Sequence, residues 1–166
     1  NRHIVTINKG SSDGVYNGQP VLDAFGLTGQ VIQVSLSISK VLLISDLNHA
    51  IPVKVDRSGY RTIALGTGDY GRLVLQHVPH TADIEVGDLL ITSGLGQRFP
   101  EGYPVGEVLL VEKKPGVPFA RIDAATNAKL SRSGHVVLVW PEAYFGANSD
   151  MNHTVSDPNN SIENNQ

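Results

Sequence analysis

Asp46, His49 and Ser93 come nearest, in this chain, to a carboxylate, an imidazole and a nucleophile that could work together. Such a relay transfers acyl groups only when the three lie within hydrogen-bond reach of one another. Ser93 precedes Gly94, but no Gly-Asp-Ser-Gly type of nucleophile turn occurs. Asp46-Leu47-Asn48-His49 therefore reads as a polar turn at a strand end, with Asp46 bonding nearby amides. His77-Val78-Pro79-His80, with Asp83, offers three potential metal ligands. A His pair at that spacing suits a helix face, which Pro79 excludes, so these read as surface histidines and no metal is expected. Asp83, Glu85 and Asp88 supply carboxylates, but glycoside hydrolysis needs two of them placed across a cleft. These three share one turn-like stretch and read as facing water. Gly66-Thr67-Gly68-Asp69-Tyr70-Gly71 matches a dinucleotide fingerprint, which must lead into a helix N-terminus. Residues 72–78, immediately after it, have strand character, so the glycines read as a hairpin turn and no cofactor is expected.

"ITSGLGQRFPEGYPVG" (91–106) is the remaining candidate. Gly94, Gly96, Gly102, Gly106, Pro100 and Pro104 exclude a regular helix. The glycine amides could cradle an anion, but Arg98 is the only basic residue to help. Leu95, Phe99 and Tyr103 are too apolar for a loop that only has to stay hydrated. Each aromatic precedes a proline, which holds it extended, so the segment reads as stiff and apolar. Two readings stay open. Phe99 and Tyr103 could plug the space between two barrels, or the stretch could be an exposed docking surface.

Composition narrows the function classes. Hydrophobic residues make up 40% and charged residues 17%, with a net charge of −3. That supports a real core and lacks the basic footprint of a nucleic-acid binder; the longest basic run is Lys113-Lys114. Without cysteine there is no disulfide and no cysteine-containing metal site. Neither a signal peptide nor an apolar run of 18 residues is present, and the chain starts at Asn1. It reads as a piece excised from a longer protein, with any N-terminal anchor outside it.

The elements that must position these residues are strands. The dominant period is two, in segments 5–7, 20–22, 29–34, 41–44, 51–55, 61–65, 73–78, 88–92, 105–112, 119–124 and 136–140. Asn17-Gly18, Ser58-Gly59 and Pro115-Gly116 are turn signals, and 124–130 offers at most one helical turn. The pattern predicts an all-β barrel or sandwich. It also repeats: "SDGVYNGQPVL" (12–22) aligns with "ADIEVGDLLI" (82–91), followed by "GLTGQVIQV" (26–34) and "YPVGEVLLV" (103–111). Each unit has a turn glycine (Gly18, Gly87), a strand, a second glycine (Gly29, Gly106) and a V-x-x-V strand. The glycines are 11 apart in the first unit and 19 in the second, so most of 91–106 is an insertion in the second. Duplication predicts two similar barrels of roughly six strands each. Strand counting assigns 1–47 plus about 121–140 to the first barrel and about 48–120 to the second, inserted in the first. Residues 141–166 are polar and Asn-rich and read as a disordered tail.

Several stretches together resemble the periplasmic region of the rod shape-determining MreC family. They are "INKGSSDGVYNGQPVLDAFGLTGQVIQV" (7–34), "SKVLLISDLNHAIPVKVDRSG" (39–59), "VPHTADIEVGDLLITSGLGQRFPEGYPVGEV" (78–108), "FARIDA" (119–124) and "VVLVW" (136–140). The most specific is "TSGLGQRFPEGYPVG", and the likeness covers about 4–140. The resemblance implies two small β-barrels in a bitopic inner-membrane protein, preceded by a short cytoplasmic end, one transmembrane helix and a dimerising coiled coil. This chain lacks those segments, so its membrane contact would run only through them. The resemblance further implies a non-enzymatic periplasmic scaffold of the machinery that builds lateral peptidoglycan. Implied partners are the protein itself, as dimer or filament, a class B penicillin-binding transpeptidase and MreD, with MreB and RodZ in the same complex. Leu95, Phe99 and Tyr103 are the first candidates for partner contact, with Tyr60 and Tyr70 second. A glycan-binding module is the alternative, although Trp140 is the only tryptophan. A hydrolase on a two-barrel frame is the third reading.

Overall fold

The computed structural model of the chain describes residues 1–131 and 135–140, and the proposed tail lies outside them. Its strands are β1 (Ile4–Ile7), β2 (Pro20–Leu22), β3 (Leu27–Val34), β4 (Ser39–Leu43), β5 (Ala50–Val55), β6 (Arg61–Gly66), β7 (Arg72–Leu75), β8 (Val78–Pro79), β9 (Leu89–Thr92), β10 (Pro104–Glu112), β11 (Phe119–Thr126) and β12 (Val137–Leu138). The period of two is expressed directly in β5, where Ile51, Val53 and Val55 are buried and their neighbours are not. The single strand expected over 73–78 is divided into β7 and β8. His77 between them adopts φ 50°, a left-handed conformation that turns the chain. The helical turn considered for 124–130 does not form; β11 runs on to Thr126 instead.

All strand pairs are antiparallel. One sheet has the order β1-β4-β3-β2-β12. The other runs β10-β9-β5-β6-β7-β11 and closes through β10–β11 into a six-stranded barrel, with β8 attached to β11. The fold is thus all-β, a closed barrel and a second sheet, and the barrel strands fall in sequence between β4 and β12. Residues 121–126, which strand counting gave to the first unit, pair within the barrel through β7 and β10. A strand linked to its neighbour by the short turn at Pro115-Gly116 forms a hairpin before it finds anything more distant. Among the described residues after the barrel, β12 alone returns to the first sheet, against β2. Among the described residues the five-stranded sheet has β1 and β12 as its edges, flanking an apolar groove of about 770 Å³.

The internal repeat is a repeat of structure. Gly18 N donates to Val31 O at 2.7 Å, and Gly87 N donates to Val108 O at 2.8 Å. Val31 N returns to Gln19 O, and Val108 N to Asp88 O, each at 2.9 Å. Both turn glycines hold positive φ, 88° and 91°. The second glycines are places of close approach: a Cβ on Gly29 would lie 2.3 Å from Leu42 O, and one on Gly106 would lie 2.5 Å from Ala125 O. Two units therefore use one local design.

The core is shared unevenly. Ile7, Val15, Val21, Val31 and Val41 form a small cluster in the first sheet. The larger cluster fills the barrel and also takes in Leu27, Leu43 and Ile44 from the first sheet. Each such aliphatic side chain contributes roughly 1.5–3 kcal/mol on burial, so the first sheet depends on the barrel for part of its core.

Candidate functional site

Residues 93–103 between β9 and β10, the signature loop, form an excursion pinned at its neck. Thr92, the last residue of β9, is fully buried. Its hydroxyl donates to Pro100 O at 2.6 Å and accepts from Tyr103 N at 2.9 Å. Its backbone bonds Tyr103 O and Gly102 N at 2.8 and 2.9 Å. A Lys54–Glu101 ion pair ties the descending limb to β5. Gly94 and Gly96 both have φ 74°, which folds Leu95–Gln97 into a kinked 3-10 turn. Gln97 also lies in the left-handed region, at φ 57°.

This geometry separates the three apolar residues. Phe99 is 2% exposed and belongs to the barrel core. Leu95 stands at the tip, 55% exposed. Tyr103 is half-buried at the neck. Gln97 and Arg98 face Tyr16, Asn17, Gly18 and Gln30 of the first unit across a polar cleft of about 520 Å³. Pro104 opens β10, and Gly26 of the first unit comes so close that a Cβ there would sit 2.5 Å from Pro104 O. Of the secondary aromatics, Tyr60 is half-buried against the barrel core. Tyr70 is 47% exposed, yet one face is stacked flat on His3 at 3.8 Å between ring centroids.

The residues considered for catalysis are structural. Asp46, His49 and Ser93 are all buried. Asp46 accepts from His3 N at 2.7 Å and Asn48 N at 2.8 Å. Burial pushes its carboxyl up, but these amides outweigh it and hold the group below the ordinary range. Neither ring nitrogen of His49 has a hydrogen-bond partner among the described residues, so there is no relay to Asp46 or Ser93. Burial pushes the His49 pKa down to about 4, with Asp46 pulling it up and Arg98 pressing it further down. Ser93 Oγ accepts from Leu95 N at 3.3 Å. His3 Nδ1 lies 2.7 Å from Ser45 Oγ, and a Cβ on Gly66 would lie 1.9 Å from Asp46 O. The turn 45–49 is thus the joint between the two units, gripped by the N-terminal strand and by the end of β6.

Asp83, Glu85 and Asp88 do not simply face water as the sequence suggested. Arg57 donates to Asp83 at 2.7 Å and to both oxygens of Asp88 at 2.8 and 3.0 Å. Asp88 is only 7% exposed and also accepts Glu85 N at 2.8 Å. The Arg57 hydrogen bonds hold its carboxyl low despite burial. The cluster clamps the turn before β9. His77 packs on Phe119 with ring centroids 5.1 Å apart. Among the described residues no three His, Asp or Glu side chains are grouped to hold a metal ion. The 66–71 glycines make the β6–β7 hairpin turn, whose Gly68 N reaches Ser45 O at 2.8 Å. His3 and Arg57 were missed from sequence. Their partners lie 43 and 31 residues away, and no local pattern signals such pairs.

A family model described as "Rod shape-determining protein MreC, barrel core" matches residues 1–140. The "Cell shape-determining protein MreC" of Haemophilus influenzae is 49% identical over 140 residues, covering 84% of this chain and 40% of that protein. A crystal structure of MreC from Pseudomonas aeruginosa superposes with TM-score 0.81 at 53% identity, over 84% of this chain and 90% of that one. A complex between Penicillin-Binding Protein (PBP2) and MreC from Helicobacter pylori matches with TM-score 0.65 at 23% identity, over 82% of this chain and 85% of that one, a likeness of fold. The chain spans about two fifths of the length of the curated relatives it matches, 40% and 39%.

Proposed function

The chain belongs to the rod shape-determining MreC family, and on that premise we propose that it is a non-enzymatic scaffold of the cell-elongation machinery. The family match across residues 1–140 carries this reading. The scaffold works in the periplasm and is anchored to the inner membrane by a segment outside this chain. It organises lateral peptidoglycan synthesis by self-association and by binding a class B penicillin-binding transpeptidase. The complex of an MreC with a penicillin-binding protein supports the second partner. MreD, MreB and RodZ complete the assembly.

The mechanism is a binding equilibrium. A rigid barrel holds a loop whose tip, Leu95, is apolar and open to solvent while its base is locked in the core. Edge strands β1 and β12 offer main-chain groups to a partner strand. A transpeptidase bound this way is shifted toward one conformation only as far as its two conformations differ in affinity. Leu95→Asp tests the loop as the contact. Capture of the transpeptidase's periplasmic region, or self-association in sedimentation, should fall at least tenfold while the melting temperature holds. Unchanged values for both would remove the loop from the contact surface.

A further inference from the structure

His49 has no role in that scheme, and its setting is unusual. It lies one residue ahead of β5, is 4% exposed, and has no hydrogen-bond partner at either ring nitrogen among the described residues. A neutral imidazole placed so already forgoes its hydrogen bonds. Three elements surround it. Its own turn contributes Asp46, whose two oxygens already accept the amides of His3 and Asn48. The end of β6 contributes backbone, with Gly66 N bonded to His49 O at 3.1 Å. The signature loop contributes the Phe99 ring, 6.1 Å away and tilted by 52°, with the exposed Arg98 guanidinium acting on it through its charge. The charged groups acting on the ring are therefore Asp46, which draws a proton to it, and Arg98, which opposes one.

A proton added to this ring brings a full charge and a second donor into a buried site. The two walls respond in opposite ways. Asp46 attracts the cation and stays ionised, because its own carboxyl is held low. Arg98 repels it, and Phe99 has no hydrogen-bonding group to receive the new donor. The wall that yields is the signature loop, an excursion from the barrel, whereas the 45–49 turn and the end of β6 are tied into both units. We propose that His49 is a proton-operated release for the signature loop: when the ring is protonated, Arg98-Phe99 turns outward and Phe99 joins Leu95 on the surface. At neutral pH the ring is uncharged and Phe99 stays in the core. The inference stands on the junction's geometry, whichever partner the exposed aromatic would meet.

The experiment is an acid titration of the ¹⁵N-labelled full chain from pH 7 to 3.5. It follows the His49 ring resonances and the hydrogen exchange of amides 94–102 against those of β6 and β7. As His49 titrates, loop amides should lose at least tenfold protection, corrected for intrinsic rate, while barrel amides keep theirs. Arg98→Gln should move the midpoint to higher pH, and His49→Phe should abolish the local opening. His49→Gln serves if the phenylalanine variant does not fold. The proposal is overturned if the loop opens at the same pH without His49 or if its protection ignores His49 protonation. Loss of loop and barrel protection in one step would overturn it equally.

Discussion

The two units begin from one repeat and end as different objects. Both turn on a left-handed glycine, Gly18 or Gly87, and both pass a strand so close to its neighbour that only glycine fits, Gly29 or Gly106. In the second unit the β10–β11 hairpin is long enough to pair with β9 on one side and β7 on the other, and the sheet closes. In the first, β12 pairs through two of the described residues, and the sheet they form has five strands. A closed sheet buries its own core, whereas the open one lends Leu27, Leu43 and Ile44 to its neighbour's. The added length in the second unit became the signature loop, pinned at its neck to β9 and β5.

Four perturbations test this contrast, the strongest first. Phe99→Ala removes a ring from the barrel cluster and should cost about 3–5 kcal/mol in denaturant unfolding; a much smaller loss would mean the loop is not part of the barrel core. Acid comes next. His49 binds its proton near pH 6.5 when unfolded and near 4 when folded, so the unfolded state takes up the proton first. Stability should fall as pH drops through that window and level off below it, a total of about 3 kcal/mol. His49→Phe should flatten that slope in the same measurement, and the depressed Asp46 and Asp88 add their losses only at lower pH. Asp46→Ala leaves the His3 and Asn48 amides without their acceptor and should cost about 1–3 kcal/mol. Because it cuts the joint, protection should fall in β1 more than in β6. The last perturbation, comparable in size, is the sharpest on the repeat. Gly29→Ala and Gly106→Ala each press a Cβ into a facing carbonyl and should each cost about 1–3 kcal/mol. A thermal melt that shifts for only one of them would end the equivalence of the units.

Much of this was legible beforehand. The β-branched alternation of 51–55 and the turn chemistry of Pro115-Gly116 are local, and they placed the strands within a residue or two. The repeat was legible because close approach and positive φ leave glycine as the one tolerated residue. The candidate site was less so. Phe99 and Leu95 sit four apart in the same loop, and nothing in their types says that one enters the barrel and the other leaves it. Asp88 looked like its neighbours Asp83 and Glu85 until Arg57 folded over it. Residues 121–126 went to the wrong unit because strand counting treats strands as interchangeable, while pairing depends on the hairpin that joins them.

The sequence by itself determined the all-β class, the duplicated unit and the family, because period, turn residues and motif spacing are carried by neighbours along the chain. Tertiary structure alone decided which sheet closes, which face of the loop is buried, and that Asp46 joins two units rather than serving a relay. Those outcomes rest on contacts such as His3 to Asp46, 43 residues apart. Burial, charge and hydrogen bonding at such contacts come into being only when the chain closes on itself.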